Sequence, residues 1–150
     1  MYYFERSVLI KCPIEKAFAF HSDTNNLTKI SPSSVKVKIL KIDLPLKLNS
    51  VVELIVTQFG FFKSHWKVRL AEFEEYSIIG DLQEKGPFKY WYHRHCFEEE
   101  NGFTKMTDKL EYDLPMGILG RIAHLLFVRK MIEKQFEFRH SKTKEVLENN

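Results

Sequence analysis

The chain has 150 residues, with 23 Lys+Arg against 20 Asp+Glu, and the resulting net charge of +3 is spread along the sequence. That balance lacks the clustered basic footprint of a nucleic-acid-binding protein, and 44% hydrophobic residues with only 6 Gly and 5 Pro argue against disorder. The length suits one domain over 1–150, since domains commonly run about 100–200 residues, and 13 Phe, 6 Tyr and 2 Trp supply more bulky apolar mass than a minimal core uses.

Residues 2–11 are dominated by aromatic and β-branched side chains and read as a strand. The same stretch has no basic region followed by an apolar run, so it does not read as a secretory leader. Cys12 and Cys96 then read as reduced thiols, and the expected compartment is the cytoplasm. Pro13 opens a short helix through IEKAFAFHSD, at the position where its missing N–H costs least. A second short helix from Asn25 to Lys29 stops before Ser31-Pro32. From residue 35 the period becomes two, and VKVKIL, VVELIVTQF, KSHWKVRLAEF, SIIGDLQ, KYWYHRHCF and FTKMTDKLEY read as strands. Turn signals separate them, among them Gly60, Gly86-Pro87 and Asn101-Gly102.

After Pro115 one long helix pattern runs from 118 to about 147. Its first third, ILGRIAHLLFV, is apolar around most of its circumference and is expected to enter deep; the rest carries a narrow stripe through Ile132 and Phe136. The longest apolar segment, near 118–128, is far short of the ~20 residues of a spanning helix. A strand, two short helices, six consecutive strands and a long helix point to α+β with an antiparallel meander. Such a sheet curves away from a single crossing helix and leaves a space between them.

The last hairpin fixes a register. A two-residue turn at Asn101-Gly102 pairs Phe97 with Met106, His95 with Asp108, His93 with Leu110 and Trp91 with Tyr112 on one face. The opposite face pairs Glu98 with Lys105, which suits solvent. His93, His95 and Asp108 therefore stand on a mostly apolar inner face. Asp108 can satisfy a buried histidine and nothing more. It can equally belong to the floor of a ligand cavity, to a catalytic acid–base pair or to a metal triad. The metal reading is the weakest, because ligating imidazoles need supporting partners and none is evident; neither a metal nor a cofactor is expected.

On the earlier strands Trp66, Val68, Leu70, Val52, Leu54 and Val56 face inward, while the facing of Asp81 and Gln83 is ambiguous. His65 and His140 read as solvated, and His21 and His124 as capping or packing residues. Arg129 reads as snorkelling outward, with a pair to Asp108 as the alternative. Cys96, on the outer face with no base beside it, is a poor nucleophile candidate.

The order of elements resembles the helix-grip fold of the START/SRPBCC superfamily, which includes the birch-pollen allergen, polyketide cyclases and lipid-transfer START domains. More specifically, Asp81, Gln83, Gly86, Pro87, Phe88, Trp91, His93, His95, Phe97, Met106, Asp108, Leu114, Pro115 and Gly117 resemble a small bacterial SRPBCC subfamily. Ile79 stands where that pattern has an aromatic. The resemblance implies a curved sheet of about seven strands with a long C-terminal helix packed across it and an apolar ligand between the two. It also tilts Asp81 and Gln83 toward the cavity. The expected function is binding of a hydrophobic small molecule, such as a lipid, isoprenoid or polyketide-like compound. Its expected contacts are Trp66, Asp81, Gln83, Trp91, His93, His95, Phe97, Met106, Asp108, Leu110 and Tyr112. A cyclase, dehydratase or isomerase working through His95 and Asp108, with His93 as a further candidate, is the alternative. A protein-interaction or membrane-docking module using Leu125–Val128 is the third reading, with transient membrane contact or a homodimer through a sheet edge as its partners.

Overall fold

The computed structural model describes residues 1–149. β1 (Tyr2–Ile10) leads into α1 (Ile14–Ser22) and a 3-10 turn (Thr24–Thr28). Six strands follow: β2 (Val35–Ile42), β3 (Val51–Gln58), β4 (Phe62–Glu74), β5 (Ile78–Lys85), β6 (Tyr90–Glu100) and β7 (Phe103–Asp113). The C-terminal helix comprises α2 (Gly117–Ala123), a π-helical turn (His124–Val128) and α3 (Arg129–Glu148) in immediate succession. The expected second helix is thus a single 3-10 turn, because Asp23 caps it by accepting from the Asn25 backbone and side-chain N–H groups in a run too short and polar to propagate.

All seven strands form one antiparallel sheet in the order β1-β7-β6-β5-β4-β3-β2. The expected register of the last hairpin is present, with His95 opposite Asp108 and Trp91 opposite Tyr112. Asn101 and Gly102 take φ of 54° and 80°, the left-handed pair of a type I′ turn. The sequence thereby decides which face of β6 and β7 meets the helix.

α3 crosses that face and buries Ile132, Phe136, His140, Thr143 and Leu147, at spacings of three and four. Leu110 and Tyr112 pack with Ile132 and Phe136. A second cluster gathers Ile10, Phe18, Leu70, Phe97, Met106 and Leu147 where α1 meets the sheet.

The deep burial expected for the first third of the C-terminal helix is not observed. Ile118, Leu119, Ile122, Leu125, Leu126 and Phe127 are all exposed. Only Gly120 and His124 of this segment are buried, with Phe127 touching Phe59 at its edge, so apolar character around its circumference does not become burial. Gly120 lies so close to the preceding loop that a Cβ there would stand 2.2 Å from the Pro115 carbonyl oxygen. His124 stacks on Tyr2 at 3.5 Å between ring centroids and pairs with the Tyr112 hydroxyl at 2.9 Å, the packing role expected of it. Among the described residues no helix is long and apolar enough to cross a membrane.

Candidate functional site

Between α3 and the curved sheet lies a cavity of about 200 Å³. Its walls come from the inward residues of β2, β3 and β4, including Val37, Leu54, Trp66 and Val68, where the period of two places branched and aromatic side chains on one face. An aromatic corner closes one end: Trp66 meets Trp91 edge-on at 5.3 Å, and Phe88 packs on Trp91 at 4.6 Å. The polar floor comes from β5, β6, β7, α1 and α3, which contribute Asp81, His93, His95, Asp108, His21, Arg139 and His140.

Asp108 is the centre of that floor. It is buried, and three imidazoles converge on its carboxylate. His93 Nε2 lies 2.9 Å from Oδ1 and His140 Nε2 lies 2.5 Å from Oδ2, both in hydrogen-bond geometry. His95 Nδ1 stands 2.5 Å from Oδ1, at ion-pair distance but off the line of a hydrogen bond. Burial on its own raises the Asp108 pKa; the charge of His95 and the contacts of His140 and His93 more than offset this and hold the carboxyl well below its ordinary range. An ionised carboxylate only accepts, so His93 and His140 donate to it from Nε2. His93 also faces Asp81, with Nδ1 3.5 Å from Oδ1. Burial pulls the His93 pKa down, but the hydrogen bonds to Asp108 and Asp81 and their charges push it up to about 9. His93 is therefore an imidazolium at neutral pH, held between two carboxylates.

Several polar atoms around the cavity have no hydrogen-bond partner among the described residues. They include His21 Nε2, His140 Nδ1, Arg139 Nε and Thr143 Oγ1, all on cavity-lining residues. Burial, then the neighbouring His95, hold the His21 pKa well below its ordinary value, so that imidazole is neutral. Buried polar groups are normally satisfied, and leaving one unmade costs about 1–3 kcal/mol. These atoms are free to hydrogen-bond a polar group or water that enters the cavity.

Of the eleven expected contacts, Trp66, Asp81, Trp91, His93, His95, Met106 and Asp108 line the cavity. Asp81 therefore faces inward. Gln83 shares its parity but folds over the β5–β6 turn. Its Nε2 donates to the Phe88 carbonyl at 2.8 Å, and its side-chain oxygen occupies the space a Cβ on Gly86 would need. It holds Phe88 in the wall without lining the cavity itself. Phe97, Leu110 and Tyr112 point inward but are consumed by packing, Phe97 against Phe18 and the other two against α3.

One further expectation is corrected. His140 is not solvated: it is buried and bound to Asp108. Its signal was the stripe Ile132–Phe136, which continues by four residues to His140. Arg129 points outward as expected: it is exposed and meets Glu133 at 3.0 Å, and the alternative pair with Asp108 is not formed. Arg139, which sequence reasoning overlooked, sits one turn from Phe136, with its guanidinium over that ring at 5.6 Å.

Three comparisons bear on this arrangement. The family model described as "Polyketide cyclase / dehydrase and lipid transport" matches residues 1–148. No curated protein matches the chain in sequence. Protein CV1439 from Chromobacterium violaceum superposes with a TM-score of 0.79 at 11% identity, covering 99% of each chain. Ara h 8.0201 superposes at 0.72 and 13% identity, again over 99% of each chain. The di-domain ARO/CYC protein BexL from the BE-7585A biosynthetic pathway superposes at 0.78 and 17% identity, over 98% of this chain and 50% of its own. At these identities the structural likeness speaks for the helix-grip fold.

Proposed function

The chain belongs to the polyketide cyclase/dehydrase and lipid transport family, within the START/SRPBCC superfamily, and from that premise we propose that it binds a hydrophobic small molecule with one polar end. The observation that carries this reading is the division of the cavity: apolar and aromatic walls ending at a floor of unpartnered polar atoms around Asp108. Apolar pockets with a few convergent polar groups are the usual form of small-molecule sites. The ligand's apolar body lies against Leu54, Trp66, Val68 and Trp91, and its polar end meets His95, His21 and Arg139. A lipid, isoprenoid or polyketide-like compound has this shape. The two free cysteines suit a reducing cytoplasm.

The test is native mass spectrometry of freshly purified protein, followed by organic extraction. A defined adduct lost on denaturation is the expected result. Val68→Phe places extra volume in the cavity wall, and adduct occupancy should fall by roughly tenfold, the equivalent of about 1.4 kcal/mol. A clean mass for the freshly purified protein, or an adduct indifferent to Val68→Phe, contradicts the reading.

A second reading is favoured by the His95–Asp108 contact of 2.5 Å. The pair could serve a cyclase, dehydratase or isomerase, His95 as base and the imidazolium of His93 as acid or oxyanion donor. Turnover of a polyketide-like substrate with a bell-shaped pH profile, abolished in Asp108→Asn, is its expected signature. Turnover unchanged in that variant contradicts it.

The exposed surface of α2 and the π-helical turn supports a third element, delivery of the ligand at an anionic bilayer. Leu119, Ile122, Leu125, Leu126 and Phe127 are flanked by exposed Arg121 and Lys130, an apolar face with a cationic border. Phe127 packs on Phe59 at 5.8 Å, next to Gln58 of the cavity wall. The partition coefficient onto anionic vesicles, read by co-sedimentation, should drop by about a hundredfold or more in the double variant Leu125→Ser, Leu126→Ser, because each leucine contributes about 1.5–3 kcal/mol of burial. Unchanged co-sedimentation removes this element, and concentration-dependent association in its place identifies a homodimer contact.

A further inference from the structure

One carboxylate oxygen of Asp81, one nitrogen of His93 and one nitrogen of His95 lie within 4.8 Å of one another on the cavity floor. Two neighbouring strands supply the three. Asp81 stands opposite His93 across β5 and β6, and His95 follows His93 by one pleat on the same face. Donors bound to one zinc-like ion at about 2.0–2.2 Å sit about 3–3.5 Å apart. The Asp81 Oδ1 to His93 Nδ1 distance, 3.5 Å, already falls there.

Asp108 makes the arrangement more than a chance meeting of side chains. It accepts a hydrogen bond from Nε2 of His93 and stands at ion-pair distance from Nδ1 of His95. Nδ1 of His93 and Nε2 of His95 are the nitrogens left over. A carboxylate behind each imidazole is what ligating histidines usually require, because it fixes the ring and raises the basicity of the free nitrogen. The supporting partner that the sequence did not reveal is therefore supplied by Asp108, while the carboxylate ligand is Asp81. Beside this group His21 stacks on His95 at 4.8 Å between centroids, with its Nε2 buried and unpartnered.

We propose that Asp81, His93 and His95 bind one divalent first-row transition ion, with Asp108 orienting both imidazoles and at least one coordination position left open to the cavity. Two nitrogens and one oxygen suit zinc, cobalt, nickel or iron(II) over magnesium or calcium. The open position carries the ion's positive charge, so it favours a ligand carrying an anionic or strongly polar oxygen. The site holds its ion whether or not an apolar ligand enters the cavity.

The test is titration of the chelator-treated full-length chain with Co²⁺, read by visible absorption, and with Zn²⁺, read by calorimetry. Saturation at one ion per chain is expected, with no response to Mg²⁺. Asp108→Asn should weaken binding by roughly 10–100-fold, the usual effect of removing a group behind a ligand. Asp81→Asn and His95→Ala should weaken it further, while His65→Ala, on the outer face beside Glu53, should not. In the unsubstituted protein the imidazole NMR signals of His93 and His95 should shift with Zn²⁺ while that of His65 stays, a readout that needs no variant to fold. No saturable binding, binding undiminished in Asp81→Asn and His95→Ala, or shifts at His65 alone overturns the proposal.

Discussion

Replacing Asp108 with alanine will destabilise the protein by about 3–5 kcal/mol, the usual cost of removing one partner from a buried charge network. The carboxylate is 3% exposed and sits among three imidazoles. Removing it leaves His93 and His140 with buried N–H groups that have lost this acceptor, and β7 and α3 lose a polar contact that adds to their apolar packing. The His93 pKa should fall in the same variant, since its first counter-charge is gone. Urea unfolding midpoints give the stability, and imidazole NMR gives the titration. Asp81→Asn, at a side chain 23% exposed, should cost less. A loss below about 1 kcal/mol in Asp108→Ala, comparable to a surface substitution, would mean that the network does not help to hold α3 to the sheet.

The second large effect is on pH dependence. His93 titrates at about 9 when folded, against about 6.5 in the unfolded chain. Its contribution is fully present below pH 6.5 and is lost as the pH rises through about 9. The separation corresponds to roughly 3 kcal/mol. His21 acts on the other side. Its folded pKa is depressed, so below pH 6.5 the unfolded chain takes up a proton that the folded chain refuses, and stability falls. Asp108, also depressed, adds a further loss once the pH drops below the ordinary carboxylate pKa and continues toward its folded value. Stability should therefore peak near pH 6–7 and decline on both limbs. His93→Gln should flatten the alkaline limb. A wild-type stability that is level from pH 6.5 to 9 contradicts the assignment of His93 as a buried imidazolium.

Much of this site could be read from the sequence because strand geometry is strict. Once Asn101-Gly102 sets a two-residue turn, every residue of β6 and β7 is assigned a face, and His93, His95 and Asp108 must converge. What escaped was long-range. Nothing local says that His140, thirty-two residues from Asp108, completes the cluster; only continuing the α3 stripe through a polar residue would have found it. Gln83 shows the converse, where correct parity gave the wrong surroundings because a turn captured the side chain. The exposed α2 segment failed for another reason. An apolar helix is buried only if something covers it, and among the described residues this segment buries only Gly120 and His124, with Phe127 touching Phe59 at its edge.

We propose that the space between α3 and the sheet takes up an apolar molecule. Trp66 and Trp91 are the only two tryptophans of the chain, and both line that space. Titration with an apolar, environment-sensitive dye, read as energy transfer from tryptophan, reports on the cavity directly. Saturable transfer at one dye per chain, lost in the cavity-filling Val68→Phe variant, is the expected result. Absence of saturable transfer, or equal transfer in both proteins, would contradict it.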